Sequence, residues 1–159
     1  MIYVFIVTYK GKYRVINYKK YKGDPTGVIY RSLWEKKFMT WCDSNPKVLQ
    51  WNSEEIIIPY KDPVQKKWRR YFPDFWVKIK ESTGTKSYLI EGKPKRQVEG
   101  PKPQAKKTKT YINEVMTYAT NTAKWEAAND YCRDRLWEFK LITERELKIR
   151  YTDYRTKRK

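Results

Sequence analysis

Three ionisable side chains carry the spacing of a reaction site: Asp74, after Pro73 in the run YFPDF at 71–75, and Glu91 and Lys93 in IEGKPK at 90–95. In an extended strand alternate side chains share a face, so Glu91 and Lys93 project together while Tyr88 and Ile90 turn to the core. Asp74 opens the neighbouring strand of the same predicted hairpin, and the short connection lets its carboxylate reach the Glu91 end. Converging carboxylates resist joint ionisation unless a cation neutralises them. Mg²⁺, with Mn²⁺ as substitute, suits oxygen ligands, polarises a phosphate and makes hydroxide available near neutral pH. Lys93 would orient that water or steady the charge growing on phosphorus. Glu35, in a predicted first helix, is a candidate third carboxylate.

Each of these residues also has a plainer reading. Ser32 to Glu35 spells a capping box, in which the glutamate bonds a helix-start amide; a helix starting nearer Thr26 would remove that duty. Asp74 suits a turn, and Glu91 with Lys93 could be an exposed charge pair. Against the last, Tyr88, Leu89 and Ile90 mark a central, buried strand, where an ion pair without purpose is costly.

The elements that must position these groups form a mixed α/β order. Residues 1–22 alternate apolar and basic types and suggest a basic N-terminal extension or hairpin, with Lys10 and Gly11 at its turn. Trp34, Phe38, Trp41 and Cys42 at helical spacing predict a helix over roughly 28–43. Strands are expected at 48–51, 56–60, 72–80 and 87–93, with 61–70 a basic loop or hairpin connection and GTKS at 84–87 the turn between the last two. Phe75, Val77 and Ile79 share one strand face. Residues 94–110 hold three prolines and six Lys or Arg, a mobile basic loop. A helix over 111–134, with a break near 121–123, puts Trp125, Ala128 and Cys132 on one stripe, with Trp125 and Tyr131 in the core. A strand follows at 136–142. The Thr143–Glu146 capping box opens a last helix to about Arg150, and 151–159 is a basic tail.

Composition narrows the chemistry. The 159-residue chain carries 36 Lys plus Arg against 18 Asp plus Glu, a net charge of +18, which points to a polyanion, foremost nucleic acid. It has no histidine, which removes Ser/His and Cys/His catalysis and imidazole zinc sites. Cys42 and Cys132 lack metal-ligand spacing and read as buried thiols. No apolar run approaches the ~20 residues of a membrane span, and no secretory signal is evident, so a cytosolic protein is expected. The basic segments are expected to contact double-stranded DNA through phosphates, with Lys66, Lys67, Arg69, Arg70, Lys95, Arg96, Lys106 and Lys107 the candidate contacts. Lacking a recognition helix, the chain should prefer a DNA structure or end over a sequence.

The PD at 73–74 and EGK at 91–93 resemble the motif of the PD-(D/E)xK nuclease superfamily. SLWEKKFMTWCDSNPKVLQWNSEEIIIPY, RRYFPDFWV, LIEGKPK and WEAANDYCRDRLWEFKLITERE are similar to the head completion nucleases of T4-like tailed bacteriophages and, more distantly, to the end-cleaving subunit of Tn7-type transposases. The resemblance covers roughly residues 20–150. It implies one restriction-endonuclease-like domain over 23–150, a central mixed sheet flanked by helices. It also implies a metal-dependent DNA endonuclease with Glu35, Asp74, Glu91 and Lys93 as its site, Asp74, Glu91 and Glu35 being the metal ligands, and products with a 5′-phosphate. The setting implied is a filled phage head, with a portal or neck protein as partner, in the virion or the host cytoplasm. Two other readings are open: a non-enzymatic basic virion protein that binds DNA, and a transposition or recombination nuclease that needs a partner recombinase.

Overall fold

A computed structural model describes residues 10–147. At its centre is a four-stranded mixed sheet in the order β3 (Val48–Ser53), β6 (Phe75–Glu81), β7 (Gly84–Gly92), β8 (Glu138–Ile142). The first three strands are antiparallel and β8 runs parallel to β7. β7 thus has a partner on each side, and its near-continuous apolar run Tyr88-Leu89-Ile90 is buried from both faces. Pairing of Phe75 with Ile90 brings Asp74, one residue before β6, to the Glu91–Gly92 end of β7.

Side-chain alternation sorts the sheet into two cores. Phe75, Val77, Tyr88 and Ile90 meet Phe38, Met39 and Cys42 of helix α1 (Leu33–Ser44), together with Tyr13, Val15, Tyr21 and Val28 from the N-terminal segment. Val48 and Trp51 both join this face although they are three residues apart, because a register shift between Val48 and Gln50 inserts an extra residue. The buried Asp43 carboxylate pins the segment by accepting the amides of Ile16 and Asn17 at 2.8 and 3.0 Å. On the opposite face Trp76 and Leu89 meet Ala128 and Cys132 of the long helix α3 (Lys109–Asp134). Ile58, Tyr60 and Tyr71 complete that second core from a hairpin of β4 (Ile58–Asp62) and β5 (Lys67–Tyr71). Cys42 and Cys132 are both buried free thiols, and the Trp125, Ala128, Cys132 stripe is buried, as the periodicity predicts; Tyr131 packs half-buried beside it.

Several elements depart from the sequence expectation. Gly11, expected with Lys10 at a hairpin turn, instead begins strand β1 (Gly11–Lys12), paired with β2 (Ile29–Tyr30), and this pairing takes the residues expected to start the first helix. That helix begins at Leu33 because Ser32 accepts the Glu35 amide and caps it. Residues 67–71 form a strand paired along its length with β4, its cations exposed and Tyr71 its buried anchor. The β6–β7 hairpin closes over Ser82 and Thr83 alone, earlier than GTKS, because Gly84 takes a φ of 131° that other residues rarely adopt. Within 94–110, residues Lys95–Glu99 form a short helix, α2, where Lys95 pairs with Glu99 at 3.2 Å. Helix α3 runs unbroken through 121–123, where Asn121 is buried and the Thr122 hydroxyl donates to the Tyr118 carbonyl at 2.8 Å. The last helix, α4 (Glu144–Leu147), opens on the expected box: the Thr143 amide donates to Glu146 at 2.7 Å. The expected extension of that helix to about Arg150, the basic tail and residues 1–9 of the expected N-terminal extension lie outside the described residues. Among the described residues no helix is long and apolar enough to cross a membrane.

Candidate active site

The two halves of the motif meet at the shared end of β6 and β7. Asp74 Oδ2 accepts the Gly92 amide at 2.9 Å, and Lys93 Nζ lies 3.6 Å from Glu91 Oε1. Lys93 is held by its own amide, which donates to the Ile142 carbonyl of β8 at 3.0 Å. Gly92 is required here for space: a Cβ on it would fall inside the Trp34 ring of α1. Trp34 packs edge-on against Phe75 at 5.7 Å, so α1, β6 and β7 interlock directly beside the carboxylates.

Both carboxyls at this end are held above their ordinary range. Desolvation first, then the charge of Glu91, holds the Asp74 carboxyl well above the usual range, the Gly92 amide opposing both. Burial raises Glu91 as well, against the stabilising influence of the Tyr71 hydroxyl, Lys93 and Lys124. A half-buried and a buried carboxylate that each resist ionisation are an oxygen donor pair that a hard divalent ion would relieve. Sites for Mg²⁺ commonly supply only one or two carboxylates, with water and substrate phosphate completing the shell, so this donor set fits that ion.

Glu35 does not complete a three-carboxylate cluster. Its Oε2 accepts the Arg31 amide at 2.8 Å while its own amide bonds Ser32, the reciprocal capping arrangement. Its charge still reaches the pair, adding to the rise of Asp74, and burial raises Glu35 itself. Among the described residues no group of three or more His, Cys, Asp or Glu side chains is arranged to hold an ion.

Two residues belong to the site without having been legible in the sequence. The Tyr71 hydroxyl donates to Glu91 Oε2 at 2.5 Å, fixing the carboxylate from the β5 side. Lys124 of α3 lies with its ammonium 5.8 Å from the Tyr60 ring centre and 5.7 Å from that of Tyr71. Burial, then the Lys93 cation, pushes the Lys124 ammonium below the ordinary lysine range, and Glu91 pulls it back. A signal for Lys124 did exist: it stands three residues after Asn121 and four before Ala128, on the buried stripe, where a lysine needs a partner.

The candidate DNA-contacting residues form two groups. Lys66, Lys67, Arg69 and Arg70 are exposed on the β4–β5 hairpin, Arg69 also reaching Asp62 at 3.4 Å. Arg96, Lys106 and Lys107 are exposed along 94–110, while Lys95 is half-buried in its pair with Glu99. Asp62 is buried but occupied: it accepts the Val64 and Gln65 amides and the Thr120 hydroxyl, closing the hairpin turn and tying it to α3.

Residues 45–144 match the family described as TnsA-like endonuclease N terminal, a span that contains Asp74, Glu91, Lys93 and Lys124 but not Glu35. The chain is 41% identical over 142 residues to the head completion nuclease of Enterobacteria phage T4, covering 87% of this chain and 93% of that protein. No solved structure matches it.

Proposed function

Because the chain belongs to the TnsA-like endonuclease family, whose fold is restriction-endonuclease-like, we propose that it is a Mg²⁺-dependent endonuclease of the PD-(D/E)xK type that hydrolyses phosphodiester bonds in DNA. The observation that carries this reading is the Asp74–Gly92 bond, which sets one half-buried carboxylate beside Lys93 and the buried Glu91 at a single sheet end. A role in phage head completion is supported by the similarity to a protein bearing that name; such a role would place the chain at DNA near the filled head, beside a portal or neck protein.

Asp74 and Glu91 would hold the ion, which when bound supplies a polarised phosphate and a water acidic enough to ionise near neutral pH. The Gly92 amide and the Tyr71 hydroxyl fix the two carboxylates so that little reorganisation is left for the reaction. Lys93, 3.6 Å from Glu91, orients the attacking water or offsets charge on the phosphate. Glu35 acts at a remove: as the cap of α1 it keeps Trp34 seated against the Gly92 backbone. The exposed cations of the hairpin and of 94–110 bind the phosphate backbone.

Incubation of the purified chain with supercoiled plasmid tests this reading. Mg²⁺ or Mn²⁺ should give nicked and linear DNA and EDTA should stop it, while Asp74→Ala and Lys93→Ala should lose cleavage with DNA binding retained. Equal cleavage by the variants would reject the site, and a chain that binds but never cuts would favour the non-enzymatic reading. Cutting that appears only with a partner recombinase would favour the transposase-like one.

A further inference from the structure

The β4–β5 hairpin has one face turned inward and one face outward. Ile58, Tyr60 and Tyr71 point to α3, so Trp68 and Arg70, the alternate residues of β5, point the opposite way. Trp68 is 70% exposed and Phe72, next in the alternation, is 42% exposed. The Arg70 guanidinium lies over the Phe72 ring, 5.8 Å from its centre. Across the hairpin this face continues with Lys61, paired to Trp68, and Pro59, paired to Arg70. It therefore carries no acid, and alternates aromatic ring, cation and aromatic ring up to Phe72, two residues before Asp74.

A tryptophan this exposed has no role in the described packing, and a surface that only gripped phosphates would need no ring. Side chains two apart on a strand are about 6.6–6.8 Å apart, twice the roughly 3.4 Å occupied by a stacked base. The spacing thus leaves room for one flat base between Trp68 and Arg70, while the Arg70 guanidinium already lies over Phe72. Duplex DNA hides the faces of its bases in its own stack, whereas unpaired bases gain from an aromatic platform flanked by cations. We propose that the outward face of β5, through Trp68, Arg70 and Phe72, is a stacking surface for a single-stranded DNA segment and feeds that strand toward Asp74 and Glu91. The substrate class is then DNA in which unpaired nucleotides adjoin a duplex, as at a frayed end, flap or branch. This deepens the nuclease reading and rests on it for the direction of the strand.

Binding of the full chain is measured in EDTA by fluorescence anisotropy, with labelled oligothymidylate of about 20 nucleotides and a blunt duplex of the same length, a site size ample for one such platform. Trp68→Ala should weaken oligothymidylate binding about tenfold, Phe72→Ala on top of it should weaken it further, and Trp68→Phe should keep most of it, while duplex affinity changes less than about twofold. An equal loss on both DNAs would overturn the proposal in favour of a general phosphate contact. No loss on oligothymidylate would overturn it in favour of a protein partner on this face. No cleavage is involved, so a plasmid assay in which Asp74→Ala still cuts would reject the active site and leave this result standing.

Discussion

Asp74 and Gly92, eighteen positions apart, are joined by a 2.9 Å hydrogen bond from the glycine amide to the aspartate carboxylate. The glycine between Glu91 and Lys93 is thereby a working part of the motif: its amide orients one acid, and its missing side chain admits Trp34. Gly92→Ala should force the indole and the strand end apart, destabilise the chain by about 1–3 kcal/mol and abolish cleavage. Thermal unfolding and the plasmid assay check both effects, and a fully stable, fully active Gly92→Ala would contradict the contact.

What the sequence made legible here is what local pattern controls. Phe75, Val77 and Ile79 alternate, Trp125, Ala128 and Cys132 recur at helical spacing, and Ser32 and Thr143 each precede a glutamate by three; the structure has these strands, this helix and these caps. What stayed hidden depends on distant partners. Ile29 and Tyr30 continue the helical pattern of α1 until Gly11 and Lys12 are seen to pair with them. Asn121 and Thr122 have the composition of a break, but the buried Asn121 and the run of α3 across the sheet override it. Three cations, Lys67, Arg69 and Arg70, disguised β5, whose inward residue Tyr71 reaches Glu91 twenty positions away. Lys124 needed the third dimension altogether.

The carboxylate pair should cost the metal-free protein stability. Both carboxyls are raised by burial, so the folded state favours their protonated forms, and stability falls as pH rises from the ordinary carboxylate range, about 4, through the raised values. Asp74→Asn should therefore melt above the parent at pH 7 in EDTA, by about 2–4 °C if about 1 kcal/mol is relieved. The difference should shrink as pH approaches about 4. Mg²⁺ should raise the melting temperature of the parent and leave Asp74→Asn unmoved, as calorimetry would show.

Tyr71→Phe keeps the ring and removes the proton donor to Glu91. That hydroxyl favours the glutamate anion, so its loss should raise Glu91 further and move the acid limb of the cleavage–pH profile to higher pH. A profile unchanged in position would mean that Glu91 is not the group whose ionisation controls the rate.

Lys124→Met preserves the stem between the Tyr60 and Tyr71 rings but deletes the charge. As a second cation on the Glu91 side of the site, its loss should lower kcat about 10- to 100-fold with KM for DNA changed less than about threefold. A rise in KM alone would make Lys124 a DNA contact distant from the reacting phosphate.

The most direct measurement is anomalous diffraction from crystals of the chain soaked in Mn²⁺. The account predicts a peak between Asp74 and Glu91, with a carboxylate oxygen of each at about 2.0–2.6 Å. A peak bound elsewhere, or none at a Mn²⁺ concentration that supports full cleavage, would contradict the carboxylate pair as the ion's seat.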